Sequence, residues 1–170
     1  MTWLPFDLHP EYPIEGIPRS QLNARYGEAF HEQLRASFTT AGLVYNPPPA
    51  VVPNTMRALC VTELARDRGL HGQMHDRLMR AYWDEARDIG EPAELVSIGV
   101  ECGLVADELE RAMESPMYRD RVRSVTADAN SVGITAIPAF VLDRRLVVLG
   151  AQARSVFEQA VEQLRTDAER

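Results

Sequence analysis

The stretch GITAIPAFVLDRRLVVLGAQ, residues 133–152, decides the fold. Pro138 to Leu142 and Leu146 to Leu149 are short β-branched or aliphatic runs, separated by Asp143, Arg144 and Arg145, a pattern that predicts a β-hairpin. Ahead of it, Pro116 suits a first helical turn, and Tyr118, Val122, Val125, Ala129 and Val132 recur by four and three up to Gly133, as on an amphipathic helix. Behind it, Ala153 to about Arg165 reads as a last helix that packs Val156, Phe157, Ala160, Val161 and Leu164.

Further upstream the signals are almost all helical. From Arg19 to Ala41, Leu22, Tyr26, Phe30, Leu34 and Phe38 fall at every fourth position, with Gly42 as a stop. Val44 to Pro53 holds four prolines and reads as a loop. Asn54 or Thr55 then caps a helix carrying Met56, Cys60 and Leu64, and Gly69 ends it. Helices follow from His71 to about Arg87, with Met74, Leu78 and Tyr82 inside, from Glu91-Pro92 to Gly103, with Leu95, Ile98 and Cys102, and from Ala106 to Met113. At the start, Thr2 to Leu8 alternates weakly around Pro5 and predicts a short strand near a sheet edge. The order sets a helical block inside a small α/β frame.

Composition narrows the classes of function. With 170 residues, 45% hydrophobic and 25% charged, the chain is an ordinary globular one that buries roughly two thirds of its surface without a disulfide framework. A net charge of −7 argues against nucleic acid as a partner, although all 18 basic residues are arginine. No apolar run reaches the ~18 residues that span a bilayer, and MTWLPFDLHPEY has neither a basic nor an apolar leader region, so no membrane role and a cytoplasmic location are expected.

Other motifs join residues 133–152 in a fixed order: LPFDLHPEYPIEG at 4–16, PNTMRAL at 53–59 and LMRAYWDEARDIGEPAEL at 78–95, with LGAQ at 149–152. Together they resemble the FrnE-like branch of the DsbA family of thiol-disulfide oxidoreductases. The resemblance implies an α/β chain with an incomplete thioredoxin-like fold and an all-helical insertion. Residues 1–18 and 116–170 would form the thioredoxin-like part and 19–115 the insertion, as a single compact unit. It also implies that Ile137-Pro138 is a cis bond in a loop that lies against the family's redox site and pairs by backbone with an extended peptide or thiol ligand.

One element of the family pattern is missing. A strand ending in Cys-x-x-Cys, then a helix, should precede Leu4-Pro5-Phe6, yet Met1 stands just ahead. The absent strand would lie between the Trp3–Leu8 and Pro138–Leu142 strands, leaving a gap of two strand spacings, roughly 10 Å. Either the natural chain starts upstream, or the Trp3 strand shifts, or a second chain completes the sheet. A homodimer or other oligomer is expected, and the start at Met1 favours a genuine short reading frame.

The chemistry-bearing residues are read in the same light. A dithiol enzyme needs two thiols with Cα atoms ~4.4–6.8 Å apart and one of them activated. Cys60 and Cys102 keep step with aliphatic neighbours and are expected to be buried and inert, so no catalytic residue is assigned. His71 and His75 have metal-ligand spacing but no third ligand, so a solvated helix face and no metal are expected, and no cofactor. Asn54-Thr55 has a capping role, though that helix start could receive an anion such as a glutathione carboxylate, as in related kappa-class transferases and isomerases. The expected ligand groove comprises Ile137, Pro138, Asn54 and Phe6. Trp3, Phe6, Tyr82 and Trp83 could line it but are expected to be core. The chain as given should thus be a redox-inactive family member. Its alternatives are a non-catalytic binding module for a peptide, thiol or small molecule, and a glutathione-dependent isomerase whose active-site segment is missing.

Overall fold

A computed structural model describes residues 1–43, 45–46 and 49–168, with backbone only for residues 28, 30, 31 and 168. The chain forms two compact units, Met1–Val125 and Thr126–Arg170.

The core of the first unit is helical. Helices α2 (Met56–Asp67), α3 (His71–Trp83), α4 (Pro92–Glu101) and α5 (Ala106–Glu114) bury Val61, Met74, Leu95, Ile98 and Leu109 completely. Each of these follows from a three-to-four-residue apolar period closed by a stop signal. Pro92 pre-sets the first turn of α4, and Glu94 complements the positive end of its dipole. The α4–α5 contact depends on Gly99, where a Cβ would stand 2.5 Å from a Leu109 methyl.

Helix α1 (Arg19–Thr40) was anticipated as one amphipathic rod but is interrupted at Gly27, whose φ of 75° and ψ of 172° are not helical. Its apolar stripe is only partly covered, with Leu22, Leu34 and Phe38 half-buried and Tyr26 exposed, while the Phe30 side chain lies outside the described residues. Before it, β1 (Ile17–Pro18) pairs antiparallel with β2 (Val51–Val52), an element inside the segment expected to be all loop. Of that segment, Val44, Pro47 and Pro48 lie outside the described residues. Gly16 makes the β1 approach possible, because its φ is +75° and a Cβ there would fall 2.3 Å from the Val52 carbonyl oxygen.

Thr2–Leu8 is not a strand. Pro5 has no N–H to give a ladder, and the Trp3 carbonyl accepts a hydrogen bond from Arg66 Nη2 at 2.7 Å. The inferred gap between two strands therefore lacks one of its walls. Helix α3 stops at Trp83 rather than near Arg87, because Asp84 and Glu85 both donate backbone N–H groups to the Arg80 carbonyl and Ala86 turns the chain at φ 54°.

Helix α6 (Pro116–Ser131) runs across the boundary between the units. The second unit holds a hairpin of β3 (Ala139–Leu142) and β4 (Leu146–Leu149), then α7 (Arg154–Ala168). The register sets Ala139 opposite Leu149 and Phe140 opposite Val148. The turn places Asp143 and Arg144 at φ 51° and 55°, the left-handed pair that matches strand twist in a tight hairpin. Phe140 meets Phe157 of α7 edge-on at 4.9 Å, and Val148 and Ala160 are buried, whereas Val141, Val147 and Leu149 on the opposite face are exposed. Among the described residues, no helix is long and apolar enough to cross a membrane.

Candidate functional site

Ile137 and Pro138 enter β3 through a cis peptide bond. The hairpin ladder fixes this loop from one side, since Gly150 N–H donates to the Pro138 carbonyl at 2.7 Å. Ile137 is left 55% exposed, and Thr135, Ala136 and Pro138 are exposed with it. The loop is thus a fixed backbone turn carrying an uncovered branched side chain.

The other expected groove residues belong to the first unit. Asn54 Oδ1 accepts the Met56 backbone N–H at 3.0 Å, and its Nδ2 donates to the Tyr12 carbonyl at 2.7 Å, so both ends of the amide are engaged in the fold. Phe6 is half-buried between buried Pro5 and Asp7. The four aromatic residues do not form one group. Tyr82 and Trp83 meet edge-on at 4.9 Å and Phe38 joins Trp83 at 5.3 Å, while Trp3 stacks on His75 at 4.5 Å.

Neither thiol resembles a redox cysteine. Cys60 lies inside α2 with no exposure, and burial pushes its thiol up to about 11. Cys102 caps the end of α4, where burial likewise raises its thiol, and its Sγ faces the Gln73 carbonyl at 3.8 Å. Both are free thiols.

A polar cluster around the buried Glu63 has no counterpart in the sequence reading. Glu63, only 2% exposed, accepts from Arg66 Nε at 3.1 and 3.2 Å and pairs with Arg121 Nη1 of α6 at 3.5 Å. Arg121 also binds Asp67 at 2.8 Å, and Tyr118 donates its hydroxyl to the same carboxylate. Arg66 Nη2 reaches both the Trp3 carbonyl and, at 2.8 Å, His71 Nε2. Glu63, Arg66 and Asp67 fall within five positions of one helix, the only local hint. Their partners come from the N-terminal segment, α3 and α6, which spacing does not reveal.

A family model described as a DSBA-like thioredoxin domain matches residues 1–162. The chain belongs to the DsbA family. The Bacillus subtilis (strain 168) protein YwbO is 26% identical over 163 residues, which cover 95% of this chain and 80% of that protein. A crystal structure of a probable DsbA oxidoreductase from Streptomyces coelicolor matches with a TM-score of 0.81 at 31% identity, covering 93% of this chain and 72% of that one. The fold is accordingly the α/β thioredoxin-like fold of DsbA proteins with a helical insertion, and the family is one of oxidoreductases.

Proposed function

We propose that the 170-residue chain is a DsbA-family protein, of the FrnE-like branch, with no dithiol activity of its own. The observation behind this is the state of its two thiols. A dithiol catalyst needs a thiolate near neutral pH within reach of a second sulfur. Here Cys60 is sealed in a helix with its thiol raised to about 11, and Cys102 belongs to a different helix end. Dithiothreitol-driven insulin reduction is the test. The chain should give the background rate, Cys60→Ser should leave that rate unchanged, and turnover above background would refute the reading.

A second reading is favoured by one feature, the exposed Ile137 beside a cis-proline held by Gly150. Here the chain is a binding module that takes an extended peptide or thiol ligand along that loop, with Pro138 as a further contact. Asn54 contributes less than sequence suggests, because its amide is engaged on both sides. That engagement lends no support to the Asn54 side chain receiving a glutathione carboxylate at the α2 start. Within either reading, residues 1–18 and 116–170 make up the thioredoxin-like part, 19–115 the insertion, and the molecule works in the cytoplasm as a homo-oligomer.

A further inference from the structure

Residues near the N-terminus are held by a side-chain relay rather than by a sheet. Arg66 Nη2 carries two hydrogens and has two acceptors, the Trp3 carbonyl at 2.7 Å and His71 Nε2 at 2.8 Å. A guanidinium cannot accept, so Nε2 must offer a lone pair and the proton of neutral His71 sits on Nδ1. The Trp3 ring completes the contact by stacking on His75, 4.5 Å away at 22°, and His75 in turn stacks on His71 at 6.1 Å.

We propose that His71 is an acid-sensitive latch: neutral, it holds Arg66 where it binds the Trp3 carbonyl; protonated, it repels Arg66 and loosens the segment that carries Trp3 and Phe6. Protonation turns Nε2 from acceptor to donor and sets two cations in contact. The helix end opposes that state, and the nearby carboxylates do little to offset it. His71 is the first residue of α3, where the helix dipole disfavours positive charge. The facing carboxylate, Glu63 of α2, favours it, but its charge is already shared by Arg66 and Arg121 of α6. Asp67 is likewise engaged, by Arg121 and Tyr118. The neighbour on α3 is His75, itself next to Asp76, and the N-terminal segment contributes the Trp3 carbonyl and ring.

Burial first, then Arg66, holds the His71 imidazole below its usual 6.5, with Glu63 pulling the other way. The stabilisation from neutral His71 is complete above 6.5 and is lost as pH falls from there through the lower folded value. His75 is also held low by burial, but its protonated ring would gain by stacking on Trp3, so it does not drive release. The latch does not rest on the proposed function, because its readout is the position of Trp3.

The chain has two tryptophans, so Trp83→Phe leaves Trp3 as the sole tryptophan, excited apart from the five tyrosines. Acrylamide quenching of Trp3 should rise about twofold between pH 8 and pH 5, as expected for a stacked indole freed by histidine protonation. The midpoint should lie below 6.5. His71→Gln supplies a neutral oxygen to Arg66 and should flatten the titration, whereas His75→Gln should shift the baseline and keep the midpoint. A flat titration with His71 intact, or an unchanged one in His71→Gln, overturns the latch. Should Trp83→Phe not fold, the Trp3 indole N–H resonance of the unaltered chain, followed over the same pH range, decides between the same outcomes.

Discussion

Ile137 is a costly residue to leave in water unless something covers it. Fully burying an isoleucine side chain is worth about 1.5–3 kcal/mol, yet here it is 55% exposed on a loop fixed by its neighbours. Ile137→Asp should therefore change the melting temperature of the free protein little, since exposed substitutions shift stability by about 0.5 kcal/mol or less. The same change should abolish the melting shift caused by an extended cysteine-containing peptide. At 100 times its dissociation constant such a ligand adds about 2.7 kcal/mol, several degrees for a chain of this size. No shift in the unaltered protein would end the binding-module reading. Residues of this kind were partly legible in the sequence. Cys60 and Cys102 reveal their burial through aliphatic neighbours, but Glu63 does not, because a carboxylate in an apolar stripe is tolerable only once Arg66 and Arg121 are known to meet it.

At the scale of elements, the tightest requirement is Gly99 of α4. Alanine is ordinarily the better helix former by about 1 kcal/mol, but a methyl there would sit 2.5 Å from Leu109, which has no room to move because it is fully buried. Gly99→Ala should cost about 1–3 kcal/mol in urea unfolding, by the overpacking rule. Combined with Leu109→Val it should cost less than the two changes summed, the mark of direct contact. Periodicity located α4, α6 and the hairpin well, because each has an unbroken pattern between a proline or polar start and a glycine stop. It failed at Thr2–Leu8, where alternation mimics a strand but Trp3 spends its carbonyl on Arg66. It also failed at β1–β2, whose two-residue strands are too short to show a period. The stripe on α1 misled in another way: the spacing is helical, yet Tyr26 faces water and Gly27 breaks the rod.

For the whole molecule, the feature that matters is the outer edge of the hairpin. Among the described residues β3 and β4 pair only with each other. Gly150 N–H points to β3, so by alternation Val148 and Leu146 do too, and the backbone groups of Val147 and Leu149 face outward from β4. That edge carries no proline, lysine or bulge to discourage pairing. Two copies meeting antiparallel with Val148 opposite Val148 would exchange hydrogen bonds between Val147 and Leu149, displacing the Gln152 amide that donates to the Leu149 carbonyl at 2.8 Å. Light scattering behind size exclusion should find a homo-oligomer. Val147→Pro removes an outward N–H without touching the β3 ladder and should shift the population to monomer with unchanged circular dichroism. A monomer at every concentration of the unaltered chain would rule the pairing out.

The two sealed thiols also make the protein its own clock. Cys60 lies at the centre of the α2–α5 packing with no exposed surface, so a small electrophile can reach it only during the moments when that packing parts. Its alkylation in native buffer, followed by mass, counts those openings one molecule at a time. Cys102, at the end of α4, keeps a second record of how often the helix end alone comes undone.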